Sequence, residues 1–301
     1  MPGHIRIGTC SWTDPSLIQA GTFYPPEAKT AEARLAYYAS QFSVVEVDSS
    51  YYAMPSRRNA TLWVERTPDD FVFDVKAFRL FTGHPTQPTA LPADIRGALC
   101  AASAQRKNLY YRDVPIELQK NLWARFEDAL LPLDSAGKLG VVLLQFPPWF
   151  NPGVAQMDHI LSCKQYLERY KVAVEFRNNL WLSERNCEAT LSFLRQNDLV
   201  FVCVDEPQGF RSSVPPLVES TTDMAVVRFH GRKSETWEAK GNAASDRFDY
   251  YYDTEELKPW AAYIKECAPT LSDVHVLFNT NNGDQAIVNA KLMARLLDCA
   301  T

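Results

Sequence analysis

Eight short apolar runs, each ending in charged or amide residues, limit what this chain can fold into. They read IRIGTCSW (5–12), VVEVDSSYY (44–52), FVFDVKAFR (71–79), GVVLLQFPP (140–148), VAVEFRN (172–178), VFVCVDEP (200–207), AVVRFHGR (225–232) and VHVLFNTNN (274–282). Runs this rich in Val, Ile and Phe suit parallel strands covered on both faces. Helical segments lie between them. Strand–helix repeated eight times predicts an α/β fold, a (β/α)8 TIM barrel in which residues 1–301 form one domain. In such a barrel all strand C-termini meet on one face, and the active site sits there.

The intervening segments carry helical spacing. In TAEARLAYYASQF (30–42) Thr30 is placed to cap, and Leu118, Leu122, Phe126 and Leu130 recur every four residues in the 115–133 segment. Pro115 suits a first turn and Pro259 lies near the start of its segment, so neither need break a helix. Two connections are long, 80–114 after the third run and 231–253 after the seventh. The second mixes Arg232, Lys233, Trp237, Lys240 and Arg247 with Tyr250, Tyr251 and Tyr252. Both follow strands, so lids or ligand contacts are expected of them, with decoration as the alternative.

With 301 residues and 46% hydrophobic content the chain can bury one large core. No apolar run approaches the length of a membrane span. The opening MPGHIRIGTCSW enters a strand pattern without the features of a secretory signal, so a cytoplasmic protein is expected. Seven scattered cysteines with no CxxC pair argue against a disulfide framework or a thiolate zinc site. A net charge of −5 makes sequence-independent nucleic-acid binding the least favoured reading.

Strand alternation sorts the late residues. Glu46 and Asp48 share a parity, as do Asp74 and Lys76, Glu175 and Arg177, and Arg228 and His230. Gln145, Asp205 and Asn279 occupy the matching late positions on their strands. A ring of Glu46, Asp48, Lys76, Gln145, Glu175, Arg177, Asp205, Arg228, His230 and Asn279 at one mouth is expected, paired because isolated buried charge is costly. Glu46, Lys76, Glu175 and His230 are the catalytic candidates. Trp12, Asp48, Tyr52, Gln145, Arg177, Asp205, Arg228, Arg232, Asn279 and Gly283 are the substrate-binding candidates. His230 is the best histidine for proton transfer, whereas His159 and His275 read as structural. Gly231, Arg228, Arg232, Asn279 and the NTNNGDQA turn at Gly283 suggest an anion site between the last two strands, with Asp284 capping the helix as the alternative.

The ordered motifs IGTCSW with FYPP, YYASQFSVVEVDSSYY, WVERTPDDFVFDVKAFR, LLQFPPWF, VAVEFRNNLW, VVRFHGR and FNTNNGDQAIVNA resemble the YecE-like family, the domain of unknown function numbered 72. The resemblance implies a TIM barrel and no established chemistry. It also places Cys10 where the family often has Ser, and Asp48 where it often has Asn.

Three functions are weighed. The favoured one is an enzyme acting on a small anionic or phosphorylated ligand by acid/base chemistry. The second is a metal-dependent hydrolase or phosphoesterase akin to endonuclease-IV-like or xylose-isomerase-like barrels. The third is a non-catalytic protein binding nucleic acid or a partner. No cofactor is implied, and cations interleaved among the carboxylates speak against a metal site.

Overall fold

A computed structural model describes residues 3–239 and 247–299; Lys240 lies outside them. Eight parallel strands close on themselves in chain order: β1 (His4–Thr9), β2 (Val44–Val47), β3 (Val72–Lys76), β4 (Leu139–Phe146), β5 (Val172–Phe176), β6 (Leu199–Asp205), β7 (Met224–Phe229) and β8 (Asp273–Phe278). Each apolar run supplies one strand, and most strands stop before the polar end of their run. In the second run, β2 ends at Val47 and Ser49–Tyr52 turns into a short helix. The fold is a (β/α)8 TIM barrel.

The strands close through two different kinds of contact. β1 and β8 pair over six positions, from His4 with Asp273 to Thr9 with Phe278. β1 and β2 pair at only two, Gly8 with Val44 and Thr9 with Val45. The Tyr38 hydroxyl bridges the remaining gap, accepting from the Thr9 amide at 2.8 Å and donating to the Val44 carbonyl at 3.2 Å. Gly8 permits this approach, because a Cβ there would lie 1.9 Å from the Val44 carbonyl oxygen.

The outer layer follows the periodicity. Ala31–Ala39 is capped by Thr30, whose side chain accepts from the Ala33 amide at 3.1 Å. Ile116–Ser135 begins just after Pro115, and Thr254–Cys267 tolerates Pro259 behind an Asp253–Glu256 capping box. One unit departs from the eightfold alternation: the connection from β6 to β7, residues 206–223, contains no helix. The VPPLV stretch there holds two prolines, which disfavour helix beyond a first turn.

The long connections divide in their roles. In 80–114, Phe81 stacks on Trp123 at 3.7 Å between centroids and packs the connection onto the outer helices. The 231–253 segment is tied at both ends, through Arg232 to Asp205 and through Tyr252 to Asn289. No helix among the described residues is long and apolar enough to cross a membrane.

Polar groups also close the barrel base. Asp74 on β3 accepts from His275 on β8 at 2.8 Å and from the Val141 amide at 2.9 Å. Gly140 leaves the room, since a Cβ there would meet Asp74 at 2.2 Å. This pairing gives His275 a structural role at the end opposite the mouth.

Candidate functional site

The C-terminal mouth has two tiers, a sealed floor and an open pocket. The floor is a chain of alternating charges. Glu46 on β2 accepts from Arg228 on β7 at 2.6 Å. Arg228 also donates to Glu175 on β5. Glu175 accepts from Arg177 Nε at 2.6 Å, and Arg177 Nη1 donates to Glu206 at 2.6 Å. Glu46, Glu175 and Arg228 are fully buried and Glu206 nearly so. Such groups are tolerated inside a protein only when paired.

The three floor carboxylates differ in proton affinity. Burial raises Glu175, but Arg228, Arg177 and His230 outweigh it and hold it well below the usual range. It also accepts from Gln145 Nε2 at 2.7 Å. Glu46 has one guanidinium partner, and its Oε2 has no partner among the described residues. Burial raises it to about 7 against the opposing fields of Arg228 and Lys76. Burial likewise raises Glu206 to about 8, opposed by Arg177 and reinforced by Glu175. The centre of the chain is a fixed anion, while its two ends titrate near neutrality.

His230 does not fit the proton-transfer role expected of it. Its ring is fully buried, with Nε2 3.2 Å from Glu175 and 3.1 Å from Arg177, and Nδ1 3.1 Å from the Asn279 amide. Burial, and then the Arg177 charge, lower it to about 3, so it is neutral.

Above the floor lies a cavity of about 600 Å³. Of the expected residues, Asp48, Tyr52, Lys76, Gln145, Arg177 and Asn279 line it. Lys76 Nζ donates to Asp48 at 2.7 Å and lies 4.6 Å from the centre of the Tyr51 ring. Burial and the Arg228 charge work against the ammonium, but Asp48, Glu46 and Tyr51 together outweigh them and keep Lys76 above its ordinary value. Arg177 has every nitrogen engaged and lies 5.3 Å from the centre of the Trp237 ring. Lys76 is different: among the described residues it has one hydrogen-bond acceptor for three donors.

Four expected site residues lie elsewhere. Asp205 faces the helix layer and binds Arg232 through two nitrogens, Tyr252 at 2.8 Å and Trp260 at 2.8 Å. The cause is register: Asp205 pairs with the outward Phe229, while Val204 pairs with the inward Arg228. The next residue, Glu206, takes the inward place. Arg232 is therefore a partner of Asp205 and Glu256, away from the pocket. Trp12 packs edge-on against Trp63 at 5.6 Å and Phe73 at 6.3 Å. The Gly283 amide donates to Ser16 Oγ at 3.0 Å, so it is already satisfied.

The anion site expected between β7 and β8 is consequently dispersed. Arg228 points into the floor and Arg232 to the outside. The group that approaches Gly231 is Tyr250, whose Cβ would be 2.6 Å from a Cβ at that glycine. Asp284 accepts from Thr22 at 2.7 Å and Tyr251 at 2.8 Å and makes no side-chain cap. Among the described residues no three His, Cys, Asp or Glu side chains are grouped to hold a metal ion. The mouth carboxylates Glu46, Glu175 and Glu206 are instead bound to guanidinium groups.

Sequence reasoning found Tyr52 but missed Glu206 and the rest of the aromatic rim. Tyr52 touches Tyr51 at 5.0 Å, Tyr51 touches His84 at 5.3 Å, and His84 touches Trp149 at 5.9 Å. Trp237 and Phe248, 6.2 Å apart, come from the 231–253 segment and form part of the lining. Burial and the Lys76 charge lower His84 to about 3, leaving it neutral. Tyr51 and Trp149 stand just past β2 and β4, a position that identifies mouth residues in any such barrel.

Comparison with known proteins places this architecture in a family. Residues 6–301 match the family model described as "Protein of unknown function DUF72". The UPF0759 protein YunF of Bacillus subtilis (strain 168) is 34% identical over 298 residues, 98% of this chain and 95% of that protein. A DUF72 family protein from Thermotoga maritima MSB8 superposes with a TM-score of 0.75 at 28% identity, covering 98% of this chain and 99% of that one. One from Enterococcus faecalis V583 gives a TM-score of 0.78 at 24% identity, over 99% and 96% respectively. The chain belongs to the DUF72 family of proteins of unknown function.

Proposed function

We propose that this protein is an enzyme that binds a small ligand through an anionic group and transforms it by acid/base chemistry in the mouth pocket. The observation that carries the reading is Lys76. Its ammonium is held at the pocket floor with one acceptor, Asp48, and donors to spare among the described residues. A carboxylate or phosphate oxygen above it would complete that set. Lys76 would also stabilise negative charge developing on the ligand. Asp48, hydrogen-bonded to it and part-exposed in the pocket, is the group placed to exchange a proton with a bound molecule. Glu46, Glu175 and His230 lie beneath the reach of a ligand and hold the floor in place.

The metal-dependent reading is weaker because guanidinium groups occupy the floor carboxylates. A nucleic-acid role is weaker because the lining is balanced. Among the described residues it has three acids, Asp14, Asp48 and Glu238, and three bases, Lys76, Arg177 and Arg247.

The test is thermal shift with small carboxylates and phosphate esters on the wild type, Lys76→Met and Asp48→Asn. Ligands that stabilise the wild type should lose their effect in Lys76→Met. Asp48→Asn should still bind them and lose turnover. Stabilisation unchanged by Lys76→Met would overturn the reading.

A further inference from the structure

Apart from Pro148, the pocket lining contains no aliphatic side chain among the described residues. Its apolar surface comes from rings, and the rest comes from carboxylates, amides, a serine and the three bases. Ligand pockets usually mix rings with branched aliphatics. A lining without them offers little to an acyl chain or a branched hydrocarbon.

The rings are also arranged in a particular way. Successive members of the wall from Tyr52 through Tyr51 and His84 to Trp149 meet at 87°, 81° and 71°. Such a wall alternates faces and edges, so it provides no parallel slot to clamp a flat base. It suits a puckered ring whose C–H groups meet aromatic faces while its hydroxyls turn aside. Tyr52 and Trp149 at the two ends of the wall remain 53% and 54% exposed, which leaves large faces open for stacking.

The polar groups fit the same ligand. Carboxylates accept from hydroxyls, and side-chain amides both donate and accept. Gln145 donates its amide to Glu175, and among the described residues its carbonyl oxygen receives no hydrogen bond. Asn281 donates to Asn279 and likewise keeps an unfilled oxygen. Asp48 accepts from Lys76 and keeps acceptor capacity on its second oxygen.

Building on the anion-binding role assigned to Lys76, we propose that the ligand is a polyhydroxylated sugar carrying one anionic group, a carboxylate or a phosphate. The anionic end sits over Lys76, and the sugar ring lies along the Tyr51–His84–Trp149 wall. The balanced lining charge favours a single anionic group over a polyanion.

Calorimetric titration of the full chain separates this inference from the reading beneath it. The probes are hexuronates, hexose phosphates, pentose phosphates, the parent neutral sugars, and inorganic phosphate with short carboxylates. The proteins are wild type, Lys76→Met and Trp149→Ala. A hexuronate or a sugar phosphate should bind the wild type at least roughly tenfold more tightly than its neutral parent and than the sugar-free anions. Preference between the uronate and phosphate arms assigns the anionic group. Trp149→Ala should weaken the sugar ligands about tenfold and leave sugar-free anions unchanged. Sugar-free anions binding as well as any sugar would overturn the sugar assignment and leave the anionic reading standing. Neutral sugars binding as well as charged ones, with Lys76→Met harmless, would overturn both. No binding of any sugar probe at millimolar concentration would also overturn the proposal.

Discussion

Glu46→Gln tests the electrostatics of the floor most directly. Glu46 carries a pKa of about 7 in the folded protein against an ordinary 4.5, because burial disfavours its charge more than Arg228 favours it. The folded state therefore holds a proton on Glu46 more tightly than the unfolded state does. Stability is greatest where both states are protonated, falls as pH rises above about 4.5, and levels off beyond the folded value. Each pH unit of that interval corresponds to about 1.4 kcal/mol, giving roughly 3 kcal/mol in all. About 2 kcal/mol of it falls between about pH 5.5 and about pH 8.5. Glutamine keeps an oxygen for Arg228 and cannot ionise, so the variant lacks this component. Equilibrium urea unfolding of both proteins should show the variant gaining about 2 kcal/mol relative to wild type across that window. The absolute offset between them is immaterial, since only its change with pH carries the information. A difference that stays flat would mean that Glu46 is ionised throughout. That outcome would mean that the Arg228 charge outweighs burial, and it refutes the reasoning.

Two further substitutions probe what holds the mouth together. Arg228→Met leaves Glu46 and Glu175 buried without their shared partner, and thermal or urea unfolding should show a loss of about 3–5 kcal/mol; an unchanged stability would contradict the floor's pairing. Asp205→Asn weakens the hydrogen bonds to Arg232, Tyr252 and Trp260 that anchor the 231–253 segment. It should cost about 2 kcal/mol and speed protease cleavage within that segment, whereas an unaltered cleavage rate would show that the anchor lies elsewhere.

The barrel was legible in the sequence because every strand is buried on both faces, which leaves an apolar run that few other folds require. The side chains at the strand ends were legible where one face is apolar and the other charged. On β7, Arg228 and His230 alternate with Val227 and Phe229, and parity identifies the inward pair. On β6 the run VFVCV is apolar at every position and fixes no parity, and two acids follow it. Only the register with β7 shows that Asp205 turns out and Glu206 turns in. Depth was illegible for the same reason. Glu46 and Asp48 share a parity, yet one is sealed in the floor and the other faces the pocket. Tyr52 apart, the aromatic rim was missed because alternation says nothing about residues beyond the end of a strand.

The floor has a consequence for how such a barrel can change. Glu46, Arg228, Glu175, Arg177 and Glu206 brace β2, β7, β5 and β6 to one another like a truss across the opening. A substitution in the truss disturbs several strands together, because each member has partners on others. The rim residues Tyr52, His84, Trp149 and Trp237 hang from separate connections above it and can be exchanged one at a time. Variation in ligand preference is therefore easiest to acquire at the rim, on an unchanged foundation. Libraries meant to redirect this protein should spare the truss and diversify what stands on it.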